Sequence, residues 1–421
     1  MQITLFGIIW ICVAIWSFYT KGFKFIIVFT LVSMTLQCDN VLYFSGVGIG
    51  PQLLSSIVLL FKLMLNQHLL YFRKDKSVLF GGFGLIAVIC LSSVLNLGFD
   101  LDVLVRIIQL FVYFLTFVFL KCAGAFNQKE LKKVLIGISY YLLIMGGIQV
   151  CIGIGILPKL QLFSLIFYNS TESTFYGESN YFRICSTFME SSYYAIVLCA
   201  LIVYFYLDKK KNKHNYIILI AALIELVLTF SSTAFGAFAV IFLLYLILNF
   251  FCDIKRNVFL LFFCFICVAF LYFKTDIIQT VIFDKLDFAN SASGSARRAW
   301  DIAAFENFLS SKMIGIGYKQ SRASSLFYCL LGELGIIGTI TYFMFTFGQI
   351  KFIFKQKSFL NVYSWMVLTA IICQLIAVPD LDMCATWMIL YIFAIASSST
   401  IKKKKISFQK SCVNWEALPC K

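Results

Sequence analysis

Residues 191–207 read SSYYAIVLCALIVYFYL, residues 208–214 DKKKNKH and residues 215–230 NYIILIAALIELVLTF. Two apolar runs flank a short connection carrying Lys209, Lys210, Lys211 and Lys213, the pattern of two membrane helices joined by a basic turn. The pattern repeats in both directions along the chain. A window of about 19 residues finds thirteen apolar segments, near 3–19, 23–38, 51–66, 77–97, 101–120, 131–156, 190–207, 215–231, 234–251, 257–273, 324–350, 359–379 and 384–400. The third is short and interrupted by Lys62. The N-terminus has neither a basic stretch before its first apolar run nor a small-residue cleavage site after it, so that run is expected to persist as a helix.

Composition agrees. Of 421 residues, 61% are hydrophobic, 13% are charged and 47 are Phe, whereas a soluble domain carries roughly a quarter charged residues. At about 20 residues per spanning helix, thirteen helices would take ~260 residues, or ~62% of the chain. An ordinary cytosolic enzyme is excluded. The expected architecture is an all-α polytopic membrane protein of about 13 spans (12–14), with residues 1–400 as one multi-pass domain and 401–421 as a basic tail. The net charge of +15 does not point to nucleic acid, because long apolar runs divide the Lys and Arg residues instead of gathering them on one face.

The charge reads as topology. Of the 35 Lys and Arg, 24 fall in one alternate set of connections and the tail, and nine in the other: Lys159, Arg183, Lys274, Lys285, Arg297, Arg298, Lys312, Lys319 and Arg322. Short basic loops stay cytoplasmic. The C-terminus is therefore expected inside and, with an odd number of spans, the N-terminus outside. All nine outer cations sit in two long connections, roughly 157–189 and 274–323, expected to carry short interfacial helices. Connections this long in a compact architecture are usually functional or disordered.

Other chemistry is thinly represented. Most cysteines lie within apolar segments as small hydrophobes, no Cys/His spacing suggests a metal site, and no cofactor is expected. His68 and His214 both fall in inner connections. Gly315-Ile-Gly317 follows no strand and lacks the third glycine of a dinucleotide motif, so it reads as a turn.

The first outer loop ends in Arg183-Ile-Cys-Ser-Thr-Phe-Met-Glu190-Ser-Ser-Tyr-Tyr194-Ala. Ser186 or Thr187 could cap the following helix with Glu190 completing a capping box; alternatively Glu190 is a carboxylate at the outer mouth of a helical cavity, able to accept a proton from a hydroxyl nucleophile. The second contains Ser291-Ala-Ser-Gly-Ser-Ala-Arg297-Arg298-Ala-Trp300, followed by apolar residues at helical spacing, which suggests a helix in the headgroup zone. It breaks at Gly315-Ile-Gly317 and approaches the next segment through Lys319 and Arg322. The Arg pair is either solvated or an anion site, since a guanidinium fork suits phosphate oxygens. Within the apolar segments, Lys62 can snorkel and Arg106 can pair with Asp102 one turn earlier. Glu225 is either functional or a protonated, hydrogen-bonded group inside the bundle. Glu333, in Gly-Glu-Leu-Gly-Ile-Ile-Gly338, reads as a packing position among small residues.

In order and spacing, Arg183-x-x-Ser-Thr-Phe-x-Glu190-x-Ser-x-Tyr-Ala195, Leu228-Thr-Phe-Ser-Ser-Thr233, Arg297/Arg298-Ala-Trp with Gly315-Ile-Gly317, and Glu333-Leu-Gly-Ile-Ile-Gly338 resemble the bacterial O-antigen and capsule repeat-unit polymerases. The resemblance spans about residues 130–350. It implies a bacterial inner-membrane glycosyltransferase that joins undecaprenyl-diphosphate-linked oligosaccharide units on the outer face by inverting, metal-independent transfer. Implied partners are that lipid-linked glycan, membrane lipid, a chain-length regulator and a flippase. The implied roles are diphosphate stabilisation by Arg183 and Arg298, with Arg297 as a further anion contact, and Glu190 as base or acceptor-positioning group. Arg322, Lys319, Tyr194 and Trp300 are the expected substrate contacts. O-antigen ligases share the architecture but typically use a histidine in the large outer loop, and no histidine falls outside here. Thr-Phe-Ser-Ser-Thr-Ala lacks the basic residue often found after the serine in related proteins, so Ser231 and Ser232 receive no role. A flippase or other transporter is the alternative from a different class, although the cations cluster on one face and no internal repeat is evident.

Overall fold

The quoted stretch forms two antiparallel helices, Ser191–Leu207 and Lys213–Leu228. The second starts at Asn212, whose side chain accepts the Asn215 N–H, the usual means of satisfying a free donor in a helix's first turn. The computed structural model describes residues 2–37, 40–44, 47–67, 70, 76–97, 101–157, 183–208, 212–249, 292–355 and 358–399. Segment 257–273, most of the two long outer connections and the tail lie outside these residues.

In chain order the described helices are α1 Leu5–Tyr19, α2 Lys24–Ser33, α3 Pro51–Leu65, α4 Lys76–Leu97, α5 Leu101–Ala123 and α6 Gln128–Gly153. They continue as α7 Ser191–Leu207, α8 Lys213–Leu228, α9 Ser232–Asn249, α10 Ala292–Ser310, α11 Leu326–Ile350, α12 Leu360–Ala377 and α13 Cys384–Ser399. Twelve coincide with apolar segments read from the sequence; α10 is the helix expected in the second outer connection. Four spans are long and apolar enough to cross a membrane: Val78–Asn96, Leu101–Ala123, Gln128–Gly153 and Leu326–Phe354. The other apolar helices are shorter.

Among the described residues the architecture departs from purely α in one place. Strands β1 Gln2–Ile3, β2 Leu42–Phe44 and β3 Val47–Ile49 form an antiparallel sheet in that order, with Gln2 opposite Tyr43 and Leu42 opposite Ile49. Strands of two or three residues are too short to display a two-residue period. The sequence therefore reads as a plain turn there.

α7 and α13 are apolar on every side and buried along most of their length, from Tyr194 to Phe205 and from Ala385 to Ala396. A helix apolar all round belongs inside a bundle or a membrane. α1 and α8 instead turn Leu5, Ile9, Trp16, Ile220, Ile224 and Val227 outward, the behaviour of lipid-facing surface.

Ion pairs sort by helix end. Lys24–Glu130 and Lys132–Asp208 join connections read as inner, Lys319–Asp380 and Lys319–Asp382 join connections read as outer, and Arg106, from within α5, pairs with Asp382 of an outer turn. Arg106 thus reaches across to Asp382 at 3.6 Å. Lys62 is buried, and its ammonium donates to the carbonyls of Ser17 at 2.9 Å and Thr20 at 2.8 Å. It satisfies the carbonyl end of α1.

α11 is broken. Gly335 has φ 63° and ψ −163°, a region essentially confined to glycine. The Ile336 and Ile337 amides, which would bond Gly332 and Glu333 in an intact helix, donate to Lys312 and Met313 carbonyls at 3.0 and 3.2 Å. In exchange, the Ile316 and Gly317 amides donate to the Gly332 and Glu333 carbonyls at 3.0 and 3.1 Å. Residues 312–317 are therefore laced into the gap, and no donor or acceptor of the exchange is stranded. Gly315, at φ 76°, sits so close to the Glu333–Leu334 peptide that a β-carbon would overlap it.

Candidate functional site

The first outer motif is held by an amide from inside the bundle. Gln149 Oε1 accepts the amides of Cys185 at 3.0 Å and Ser186 at 2.7 Å, and its Nε2 donates to the Ser186 carbonyl at 2.6 Å. Ser186 adopts φ 51° and donates its hydroxyl to the Leu142 carbonyl at 2.8 Å. Ile184 and Phe188 are buried on either side. This fixes the chain between Arg183 and Glu190.

Neither Ser186 nor Thr187 caps α7. Glu190 itself holds the N-cap position at φ −135°, with no capping bond from its side chain, and accepts from Ser192 Oγ at 3.0 Å. Its carboxylate is exposed at the rim of a cavity. Arg183 donates from Nε to the Thr229 carbonyl at 3.1 Å. Burial lowers the Arg183 pKa, Glu190 opposes that shift and Arg297 adds to it. The three side chains thus share one electrostatic neighbourhood, although the two loops are more than a hundred residues apart.

The second motif supplies the opposite wall. Asp301 of α10 accepts from the Ser324 amide at 2.8 Å and hydroxyl at 2.6 Å, and Asn307 donates to Ser321 Oγ at 3.2 Å. These bonds lay residues 319–324 along α10. The Arg322 guanidinium then stacks on Trp300, 3.8 Å from the ring centre, within cation–π range.

Together these elements enclose an open cavity of about 670 Å³, a size suited to a small ligand or part of a large one. Arg297 and Trp300 come from α10, Lys319 and Arg322 from the following connection, Glu190 and Tyr193 from the start of α7, Glu333 from α11, and Asp380 from the turn before α13. Among the described residues, neither Arg297 nor Arg322 is in an ion pair with a carboxylate. Lys319 is fully engaged, 2.5 Å from Asp380 and 3.0 Å from Asp382. Burial works against its ammonium, yet Asp382 and Asp380 prevail and raise its pKa.

No protein-family model matches the chain, and no curated protein matches it. The reading of the site rests on its residues.

Five of the eight side chains singled out in the sequence, Glu190, Arg297, Trp300, Lys319 and Arg322, line the cavity, and Arg183 is within electrostatic reach of Glu190 and Arg297. Two require correction. Arg298, expected to be catalytic together with Arg183, is exposed and does not line the cavity; one helical step turns it away from Arg297 by about 100°. Tyr194 is fully buried and hydrogen-bonded to Glu225 and the Leu142 carbonyl, so it belongs to the bundle. Its neighbour Tyr193 lines the cavity and donates to Asp380 at 3.4 Å. Glu225, packed against Gly146, is accounted for by the Tyr194 bond.

Glu333 does more than the packing position read from the sequence. Its side chain is buried yet lines the cavity. The glycines around it permit the helix break, not simply close helix contact. The signal was an ionisable residue inside an apolar segment, which favours function by default. Among the described residues no group of three or more His, Cys, Asp or Glu side chains is arranged to hold a metal ion.

Proposed function

We propose that this chain is a polytopic glycosyltransferase of the bacterial cytoplasmic membrane that polymerises oligosaccharide units carried on undecaprenyl diphosphate, at the outer face. The proposed topology has about thirteen spans, twelve of the described helices plus segment 257–273, with the tail cytoplasmic. The segregation of ion pairs by helix end supports it.

One observation carries the functional reading: the two Arg-bearing outer loops converge on a single cavity in which Arg297 and Arg322 have no carboxylate partner among the described residues, with Arg183 in electrostatic reach of Glu190 and Arg297. Planar guanidinium groups suit diphosphate oxygens. Transfer outside the cell has no nucleotide to draw on, so the glycosyl-diphosphate bond must drive it. The acceptor hydroxyl oxygen bonds to the anomeric carbon, the bond from that carbon to the diphosphate oxygen breaks, and undecaprenyl diphosphate departs with the electron pair. Arg297, Arg322 and Arg183 stabilise the charge that develops on it. The hydroxyl proton passes to a carboxylate. Glu190 at the rim is the candidate, and Glu333 at the inner wall is the other, since Asp380 is held by Lys319.

The test is incubation of the purified full-length chain with a defined lipid-diphosphate-linked repeat unit, reading product length. A ladder is expected; unchanged single units would overturn the reading. A transporter for the same lipid-linked glycan is the second reading, favoured by the break in α11, since interrupted helices line substrate sites in secondary transporters. Movement of the substrate across vesicle membranes without chain growth would establish it instead.

A further inference from the structure

A second cavity, of about 630 Å³, adjoins the first. Tyr193, Lys319, Gln320 and Asp380 line both. The wall between the chambers is therefore the Lys319–Asp380 pair with the Tyr193 hydroxyl bonded to it.

The chemistry of the second chamber differs from that of the first. Its two cations are both committed, Arg106 to Asp382 and Lys319 to Asp380 and Asp382. Asp102 also lines it, so carboxylates outnumber cations and a phosphate would be repelled. The remaining polar lining is rich in amides: Gln37, Asn40, Gln52 and Gln109. Among the described residues Gln37 Oε1 is buried without a hydrogen-bond partner, an arrangement that is unfavourable unless a donor arrives. Each amide nitrogen donates one bond inside the protein, Gln37 to Met383, Asn40 to Tyr43, Gln52 to Leu36 and Gln109 to Tyr113, and the amide oxygens and carboxylates are acceptors that match the hydroxyls of a sugar. Asn40 and Gly48 reach the chamber from the sheet region.

On the reading of the first chamber as the diphosphate site, we propose that the second chamber binds the uncharged, hydroxyl-rich glycan of the acceptor. Inverting transfer requires the acceptor hydroxyl to approach the anomeric carbon from the face opposite the departing diphosphate. The second chamber lies on the far side of the shared wall, where that approach begins. Reacting atoms then meet beside Tyr193 and Asp380.

The test uses the full chain in lipid nanodiscs and two probes, the oligosaccharide freed by mild acid from the producing cell's lipid-linked unit and inorganic pyrophosphate, each followed by ligand-observed magnetic resonance. Gln37→Leu and Gln109→Leu are expected to weaken oligosaccharide binding at least tenfold and to leave pyrophosphate binding within twofold, which also shows that the variants fold. Arg297→Ala is expected to do the reverse. Unchanged oligosaccharide affinity in both glutamine variants, or no oligosaccharide binding by a wild type that polymerises, would overturn the assignment. Glutamine-dependent oligosaccharide binding in a protein that neither binds pyrophosphate nor makes polymer would keep the subsite and overturn the polymerase reading.

Discussion

Lys319 and Asp380 meet at 2.5 Å in the wall between the two cavities, joining the α10–α11 connection to the turn before α13. Asp382, nearly buried at 6% exposure, shares the ammonium at 3.0 Å. Lys319→Met takes the ammonium from both carboxylates, leaving Asp380 with the Tyr193 hydroxyl and Asp382 with Arg106 at 3.6 Å. The expected cost lies between the ~1 kcal/mol of an exposed pair and the ~3–5 kcal/mol of a buried one, read as a lower unfolding temperature in detergent. Because the Lys319 pKa is raised in the folded state, its stabilisation is complete below the ordinary lysine value of about 10.4. It is lost only as pH climbs through the raised value. The gap between wild type and variant should hold steady from about pH 7 to about pH 10 and narrow above that; closure at lower pH would refute the pairing.

Arg297 and Arg298 are adjacent in sequence but not equivalent. Arg297→Ala should cut polymer formation by at least ~100-fold, the scale of removing one donor to a developing oxyanion, and Arg183→Ala should act in the same direction. Arg298→Ala should leave the glycan ladder close to normal. Electrophoresis of the surface glycan distinguishes them, and loss of the ladder in Arg298→Ala alone would reverse the assignment.

Gly335→Ala should disassemble the break in α11. Its backbone region costs an alanine roughly 1–3 kcal/mol, and a β-carbon would lie 2.5 Å from the Met313 carbonyl carbon. The expected outcome is a sharp fall in the amount of monodisperse protein on size-exclusion chromatography. Gly236→Ala is the control, since a β-carbon there meets nothing within 4 Å. Equal yields of the two would count against the inserted segment.

Gln149→Leu keeps the size of the side chain and strands the Cys185 and Ser186 amides and the Ser186 carbonyl. A destabilisation of about 1–3 kcal/mol is expected for each group left without water, together with reduced polymerisation because Arg183 and Glu190 lose their anchor. Gln149→Glu, which still accepts both amides, should recover more activity than Gln149→Leu. Equal activities would separate Gln149 from the site.

Much was legible along the chain. Apolar runs interrupted by basic turns located twelve described helices, because the length and hydropathy of a membrane helix are local properties. The concentration of outer cations in two loops picked out Arg183, Arg297, Lys319 and Arg322 for the same reason. Lys62 escaped that logic: its position inside α3 reads as an interruption, whereas in the fold it satisfies carbonyls at the end of α1.

Arg298 and Tyr194 show where local reading ends. Helical phase decides which of two adjacent residues faces a cavity, and phase depends on the partner against which a helix packs. Glu333 shows the same limit in the backbone: its role follows from a helix break that residues 312–317 complete, a pairing between segments that no periodicity announces. The positions of the helices and their apolar character were thus encoded in hydropathy and charge, which each segment carries alone. The cavity, its two guanidinium groups without a carboxylate partner among the described residues and the amide-lined chamber beside it arise from contacts between distant segments, and those exist only once the bundle has closed.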